Sequence, residues 1–344
     1  MTIARSISRH ATLGAAALLT VVGVLVGVPD ANDFVLATTD KHQRLESLAG
    51  PKVVFVGGSN LAYGLDSRSV DAALPHGVVN MGLNAYLGAR FLLREVDGAL
   101  TVGDVAVLSF EHRMFFTYPE VDFADGMGID HLMVIKARPR SVTYLSTSGQ
   151  ALDIMRAVPL VSQRKLDKVG RQILSWSRGR PLDESPEVGT LQWVEGSRHA
   201  FNEYGDMWRH VDPRAVKPPL VFDHSVVGQQ LRDDVFAELR RFKVRMDERG
   251  VSVLFAPPPT PWSYYLRQRA QLDLLYDRLA TEFPGLTRLD ASGLLFPDTE
   301  FFDAPSHLGT AASRTRRTAL VIEQLRRVVA PNSVRRRTGA TAPE

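Results

Sequence analysis

Three residues in this chain have the types and placement for nucleophilic catalysis: Ser59, Asp303 and His307. Ser59 follows Val53-Val54-Phe55-Val56 and two glycines, Gly57 and Gly58. A buried-strand pattern ending in Gly-Gly-Ser puts a serine at the carboxyl edge of a sheet, where open α/β folds place their ligands. A free serine hydroxyl is a weak nucleophile and needs a hydrogen-bonded base. His307 can be that base, with Asp303 accepting from its other ring nitrogen. The chemistry would be acyl transfer to water or to another hydroxyl. Taken singly, these residues also read as a strand-helix loop, a helix-capping aspartate and a surface histidine.

The elements around them must bring the two ends of the chain together. Residues 53–56 read as a buried strand from their β-branched and aromatic content. A helix is expected from Ser67 to Leu74, a strand over 77–80, a helix over 87–100 and a third strand over 105–109. The rhythm breaks between Met114 and Arg214, where helical pieces are expected at 131–137 and 151–176. We read 114–214 as an insertion that caps the site. It contains a flexible stretch around 178–186 and a polar turn at Asn202–Asp206. The rhythm returns with a helix over 224–249, a fourth strand over 251–256 stopped by Pro257-Pro258-Pro259, a helix over 263–282, a fifth strand over 286–289 and a last helix over 309–329. Alternation of this kind predicts an α/β fold, a three-layer α/β/α sandwich around a mostly parallel five-stranded sheet. Both the Ser59 turn and the 303–307 loop then emerge on one edge.

Composition narrows the function classes. The chain has 344 residues, 44% of them hydrophobic, and no cysteine, so disulfides, a thiol nucleophile and thiolate metal sites are excluded. The net charge is +3 with both signs interleaved, which gives no basic face for nucleic acid. The histidines show neither HxH nor HExxH spacing, so no metal is expected, and no motif calls for a cofactor.

Ala11–Val28 is an uncharged apolar run of 18 residues. At ~1.5 Å per residue it reaches ~27 Å, close to the ~30 Å core of a bilayer. Arg5 and Arg9 precede it, and Asp30 and Asp33 follow. The positive-inside rule puts the body outside the cytoplasm. We expect a single-pass cell-membrane protein: an anchor over 1–29, a stalk over 30–51, the domain over 52–330 and a disordered tail over 331–344. A signal peptide cleaved near Val35-Leu36-Ala37 and a buried helix are the other readings of the run.

Four stretches, Val53–Asp66 (VVFVGGSNLAYGLD), Val79–Ala85 (VNMGLNA), Val251–Pro259 (VSVLFAPPP) and Phe301–Thr318 (FFDAPSHLGTAASRTRRT), resemble the SGNH, or GDSL-like, hydrolases in content and order. The similarity is greatest to the membrane-anchored branch concerned with cell-envelope acylation, which includes the D-alanyl transfer protein of teichoic acid modification. It spans about 52–329 without the insertion. The resemblance implies Ser59 as nucleophile, His307 as base and Asp303 as its orienter. It also implies an acylated glycan or glycolipid as substrate and a membrane-bound acyltransferase as a partner.

The chain departs from the family pattern in four places. Ala85 stands where many members have glycine. Phe110-Glu111-His112 replaces Gly-x-Asn and removes the usual side-chain donor of the oxyanion hole, leaving Asn60 or Asn84 to substitute. Gly58 replaces the aspartate of Gly-Asp-Ser. Three residues separate Asp303 from His307 where two are common. Glu111 and His112 are further candidates, as a second acid/base pair or as a loop ion pair with Arg113. Trp262, Tyr264 and Tyr265 are candidates to line an acyl or sugar groove, or to pack in the core. Two functions follow: an extracytoplasmic serine esterase or O-acyltransferase, and a non-catalytic binding or assembly subunit of a polysaccharide-acylation complex.

Overall fold

The computed structural model describes residues 34–118, 121–178, 198–212, 225–284 and 291–329, with Gly23, Gly27 and Leu220. Strands form where the β-branched runs were expected: β1 (Lys52–Gly57), β2 (Gly77–Asn80), β3 (Val105–Ser109) and β4 (Ser252–Phe255). They make one parallel sheet in the order β2-β1-β3-β4.

Side chains alternate across the pleat. Val54, Val56, Ala106, Leu108, Val253 and Phe255 face one apolar cluster. Helices α4 (Ala89–Asp97), α7 (Asp233–Glu248) and α8 (Trp262–Glu282) pack there through residues such as Phe91, Phe242 and Leu275. Val53, Phe55, Val105, Val107 and Leu254 face the other cluster. It is completed by Leu61 of α2 (Ser59–Gly64), Val70 of α3 (Ser67–Ala73), and Val321 and Leu325 of α9 (Ala311–Val329). A strand buried on both faces is why these segments are continuous apolar runs.

The sheet differs from the five-stranded expectation. Four strands are present among the described residues, and 286–289, expected as the fifth, lies outside them. A separate pair, β5 (Thr260–Pro261) with β6 (Leu295–Phe296), is parallel and was not foreseen. Two-residue strands carry no periodicity to read. Helix α7 starts nine residues after the expected 224. Residues before it turn at Gly228, with φ +75°, and bridge Leu231 to Phe116.

The expected stalk is a correction. Residues 37–47 form helix α1 (Ala37–Ser47), which packs on the body through buried Lys41, His42 and Leu45. Its polar residues misled the reading because their partners lie inside: Lys41 Nζ donates to Asn80 O at 2.8 Å, and His42 pairs with Glu95 at 2.9 Å. Of the expected anchor, only Gly23 and Gly27 are described, and the 331–344 tail lies outside the described residues. Among the described residues, no helix is long and apolar enough to cross a membrane.

The insertion packs by the segments that follow β1 and β2, helix α2 and the turn at Tyr86. Helix α5 (Gly128–Ala137) lies against α6 (Ser148–Ser177). Just before α5, Met127 N donates to Tyr86 O at 2.7 Å, while Met207 N donates to Ala62 O at 2.9 Å. Both contacts are on the carboxyl side of the sheet.

Candidate active site

Helix α2 begins at Ser59, directly after the Gly57-Gly58 turn that ends β1, and all six of its residues are buried. The nucleophile candidate is therefore fixed by the sheet behind it. Asp303 and His307 occupy the tip of a narrow loop. Phe301 bridges Leu308, Phe302 N donates to His307 O at 2.8 Å, and His307 N donates to Ala304 O at 3.1 Å. This small hairpin absorbs the extra spacer residue and brings the two side chains face to face. Gly309 closes it, since a Cβ there would lie 2.8 Å from the Phe301 carbonyl carbon and the Phe302 nitrogen.

The three side chains meet. His307 Nε2 is 2.7 Å from Ser59 Oγ, and His307 Nδ1 is 2.6 Å from Asp303 Oδ1. Burial pushes the Asp303 carboxyl up, but its hydrogen bond to His307 and the attraction of that ring outweigh this and hold it below the usual carboxylate range. An ionised carboxylate can only accept, which fixes the proton on Nδ1 and leaves Nε2 to accept the Ser59 hydroxyl. Tyr63 stacks on the imidazole with ring centroids 3.9 Å apart and planes within 5°. Behind Tyr63, His210 lies with Nε2 2.9 Å from Leu308 O and 3.1 Å from Tyr63 O. Burial, reinforced by Arg314, lowers His210 to about 3. It is a neutral strut between α2 and the Asp-His loop.

The other expected site residues divide. Glu111 is at the site: Oε1 accepts the Asn60 N–H at 3.0 Å and lies 3.4 Å from Ser59 Oγ. His112, its proposed acid/base partner, is elsewhere, 2.7 Å from the Tyr276 hydroxyl and stacked on Tyr264. Burial lowers His112 to about 3. The ion pair of Glu111 with Arg113 is also absent among the described contacts, and Arg113 lies over Tyr86 and Phe123. Tyr264 is buried, whereas Trp262 is exposed beside Tyr265.

Neither asparagine supplies the missing oxyanion donor. Asn60 Nδ2 donates to Ser109 O, and its Oδ1 accepts from Ser109 Oγ and Arg317. The first turn of α2 directs that side chain back onto β3. Asn84 Nδ2 donates to Asp130 at 2.8 Å, and Oδ1 accepts the Tyr86 N–H. Ala85 is buried, and among the described residues no hydrogen bond joins it to Ser59. Gly82 is the residue of that block which touches the nucleophile turn. A Cβ on it would lie 2.4 Å from Leu61 Cβ and 2.7 Å from Gly58 O.

Sequence reasoning missed several supports. Arg317 is buried, donating to Asn60 O at 2.6 Å and to Asn60 Oδ1 at 2.8 Å. Asp206, read as part of a polar turn, accepts from Ser67 N, Ser67 Oγ and Asn80 Nδ2 at 2.7–2.8 Å. Arg317 left one readable signal. It lies four residues before Val321 and eight before Leu325, on the apolar stripe of its helix, where a charge needs a buried partner. Among the described residues, no group of His, Asp or Glu is arranged to hold a metal ion. No family model matches the chain, and no curated protein is significantly similar to it.

Proposed function

We propose that this chain is an SGNH-type serine esterase or O-acyltransferase, held outside the membrane by residues 11–28 and acting on an acylated cell-envelope glycan or glycolipid. The observation that carries the proposal is the continuous relay Ser59–His307–Asp303 at the carboxyl edge of the sheet. In the first half-reaction Ser59 Oγ attacks the acyl carbonyl carbon while His307 Nε2 takes its proton. Collapse breaks the bond to the leaving alkoxide, which receives that proton. In the second, His307 deprotonates water or a sugar hydroxyl, which attacks the acyl-enzyme and releases Ser59. Asp303 stays ionised throughout and steadies the imidazolium.

The oxyanion donor that best fits is the Ser59 backbone N–H. It opens α2 and has no acceptor within the helix. Each such donor is worth about 3–4 kcal/mol in the transition state, so a hole without the usual Asn side chain implies slow turnover on simple esters. The envelope substrate, the anchor, the extracytoplasmic location and a membrane-bound acyltransferase partner rest on the resemblance and on the 11–28 run.

The second reading, a non-catalytic binding or assembly subunit, is favoured by one observation. A carboxylate, Glu111, lies 3.4 Å from Ser59 Oγ, and the residue aligned with the family's Asn, His112, turns away to Tyr276. Turnover separates the two. Purified chain is offered a panel of acyl esters, with and without glycan hydroxyl acceptors, against Ser59→Ala. Release or transfer that depends on Ser59 supports the enzyme. Equal, background-level rates for both proteins favour the subunit.

A further inference from the structure

Asn60, the residue after the nucleophile candidate, has each of its polar groups engaged. Its N–H is held by Glu111 Oε1 at 3.0 Å. Its C=O accepts from Arg317 Nη1 at 2.6 Å, and its Oδ1 from Arg317 Nη2 at 2.8 Å. Its Nδ2 donates to Ser109 O at 2.8 Å, and Arg317 Nη2 also reaches Ser109 Oγ at 3.1 Å. Glu111 and Arg317 are both nearly fully buried. The backbone of one residue is thus gripped at its N–H, in the 59–60 peptide, by an anion and at its C=O, in the 60–61 peptide, by a cation. A guanidinium is the only side chain that can make this fork of three bonds.

Two glycines make room for the grip. A Cβ on Gly58 would lie 2.4 Å from both Glu111 carboxylate oxygens, and one on Gly64 would lie 2.1 Å from Arg317 Nη1. The two charges depend on each other. Burial lowers Arg317 to about 9 against the opposing field of Glu111. A buried charge that loses its counter-charge is strongly destabilised.

We infer that Glu111 and Arg317 are a pair of positioning residues that clamp the Asn60 backbone, across the two peptides flanking its Cα, between opposite charges and so fix the Ser59 hydroxyl against His307. The inference rests on the proposed function only in taking Ser59 as the nucleophile. Neither residue needs to touch substrate. The clamp reaches the nucleophile turn from the loop after β3 and from α9.

The test measures the rate at which a fluorophosphonate labels Ser59 in the full chain, with backbone amide exchange over residues 57–63 followed by mass spectrometry. Glu111→Gln keeps an acceptor for the Asn60 N–H and is expected to slow labelling three- to tenfold. Arg317→Met strands the Glu111 carboxylate beside Ser59 and is expected to slow it at least thirtyfold. Combining the two should restore at least threefold over Arg317→Met alone, because the stranded charge is gone. If the double variant is no faster than Arg317→Met, the clamp is refuted. Should Arg317→Met not fold, Gly64→Ala displaces the guanidinium while keeping both charges, and an unchanged labelling rate there also refutes it. If the unaltered chain is not labelled, the reading of Ser59 as nucleophile fails, and exchange decides the clamp by itself. Glu111→Ala must then speed exchange over 57–63 at least tenfold with exchange in β4 unchanged. Exchange that stays slow, or that rises equally in β4, overturns it.

Discussion

Introducing the Gly-Asp-Ser of the hydrolases that the sequence resembles should damage this protein. Gly58→Asp would create Gly-Asp-Ser, yet its Cβ would fall 2.4 Å from both oxygens of the Glu111 carboxylate. Real Cβ atoms do not approach that closely, so Glu111 must leave. It is 3% exposed, so the displaced carboxylate moves within the protein interior. Its displacement removes the charge-assisted bond to the Asn60 N–H, worth about 1.5–3 kcal/mol. Overpacking adds about 1–3 kcal/mol, and a second carboxylate adds repulsion on top. The sum is about 2.5–6 kcal/mol. At about 2 °C per kcal/mol for a domain of this size, the melting temperature should fall by about 5–12 °C. Thermal unfolding followed by circular dichroism measures this directly. Glu111→Ala in the Gly58→Asp background should recover part of the loss by vacating the contested space. A Gly58→Asp variant as stable as the unaltered chain would refute the packing argument and, with it, the placement of Glu111.

Three further outcomes are expected. Asp303→Asn should lower turnover by two to four orders of magnitude, with the Michaelis constant nearly unchanged, because it removes the acceptor that fixes the His307 tautomer; steady-state kinetics on an ester substrate checks this. Asp206→Ala should cost about 2–4 kcal/mol in urea unfolding, since it orphans Ser67 and Asn80 donors in a buried site. Burial lowers Lys41 to about 7, against the raising effect of Asp206, Glu95 and Asp40. The unfolded chain therefore binds more protons than the folded one between pH 7 and about 10. Stability should rise with pH across that window, and the rise should be smaller in Lys41→Met.

How much of this was legible depended on whether a residue's neighbours were close in sequence. Residues 53–56, 77–80, 105–109 and 252–255 announce themselves because strands buried on both faces must be apolar throughout. Ser59 was legible because it follows the apolar run of a central strand, and Asp303 and His307 because they fall in one short motif ahead of the last helix. The short-range details were not. Residues 225–232 look helical by composition, but a turn at Gly228 and the bridge from Leu231 to Phe116 keep them out of the helix. Lys41 and His42 read as stalk residues because their partners, Asn80 and Glu95, lie 39 and 53 residues away. Asn60 was one of two candidates, with Asn84, for the oxyanion donor, but the turn of α2 gives its amide to Ser109. Glu111 and His112 were read together as an acid/base pair, whereas the backbone after β3 turns Glu111 toward Ser59 and His112 toward Tyr276.

The central claim is that Ser59 is a nucleophile activated by His307. Intact-mass analysis after incubation with a fluorophosphonate tests it most directly, with peptide mapping of the product. The account expects one adduct per chain, mapped to Ser59, absent in Ser59→Ala and formed at least a hundredfold more slowly in His307→Ala. No adduct on the folded chain, or an adduct that persists in Ser59→Ala, would contradict it.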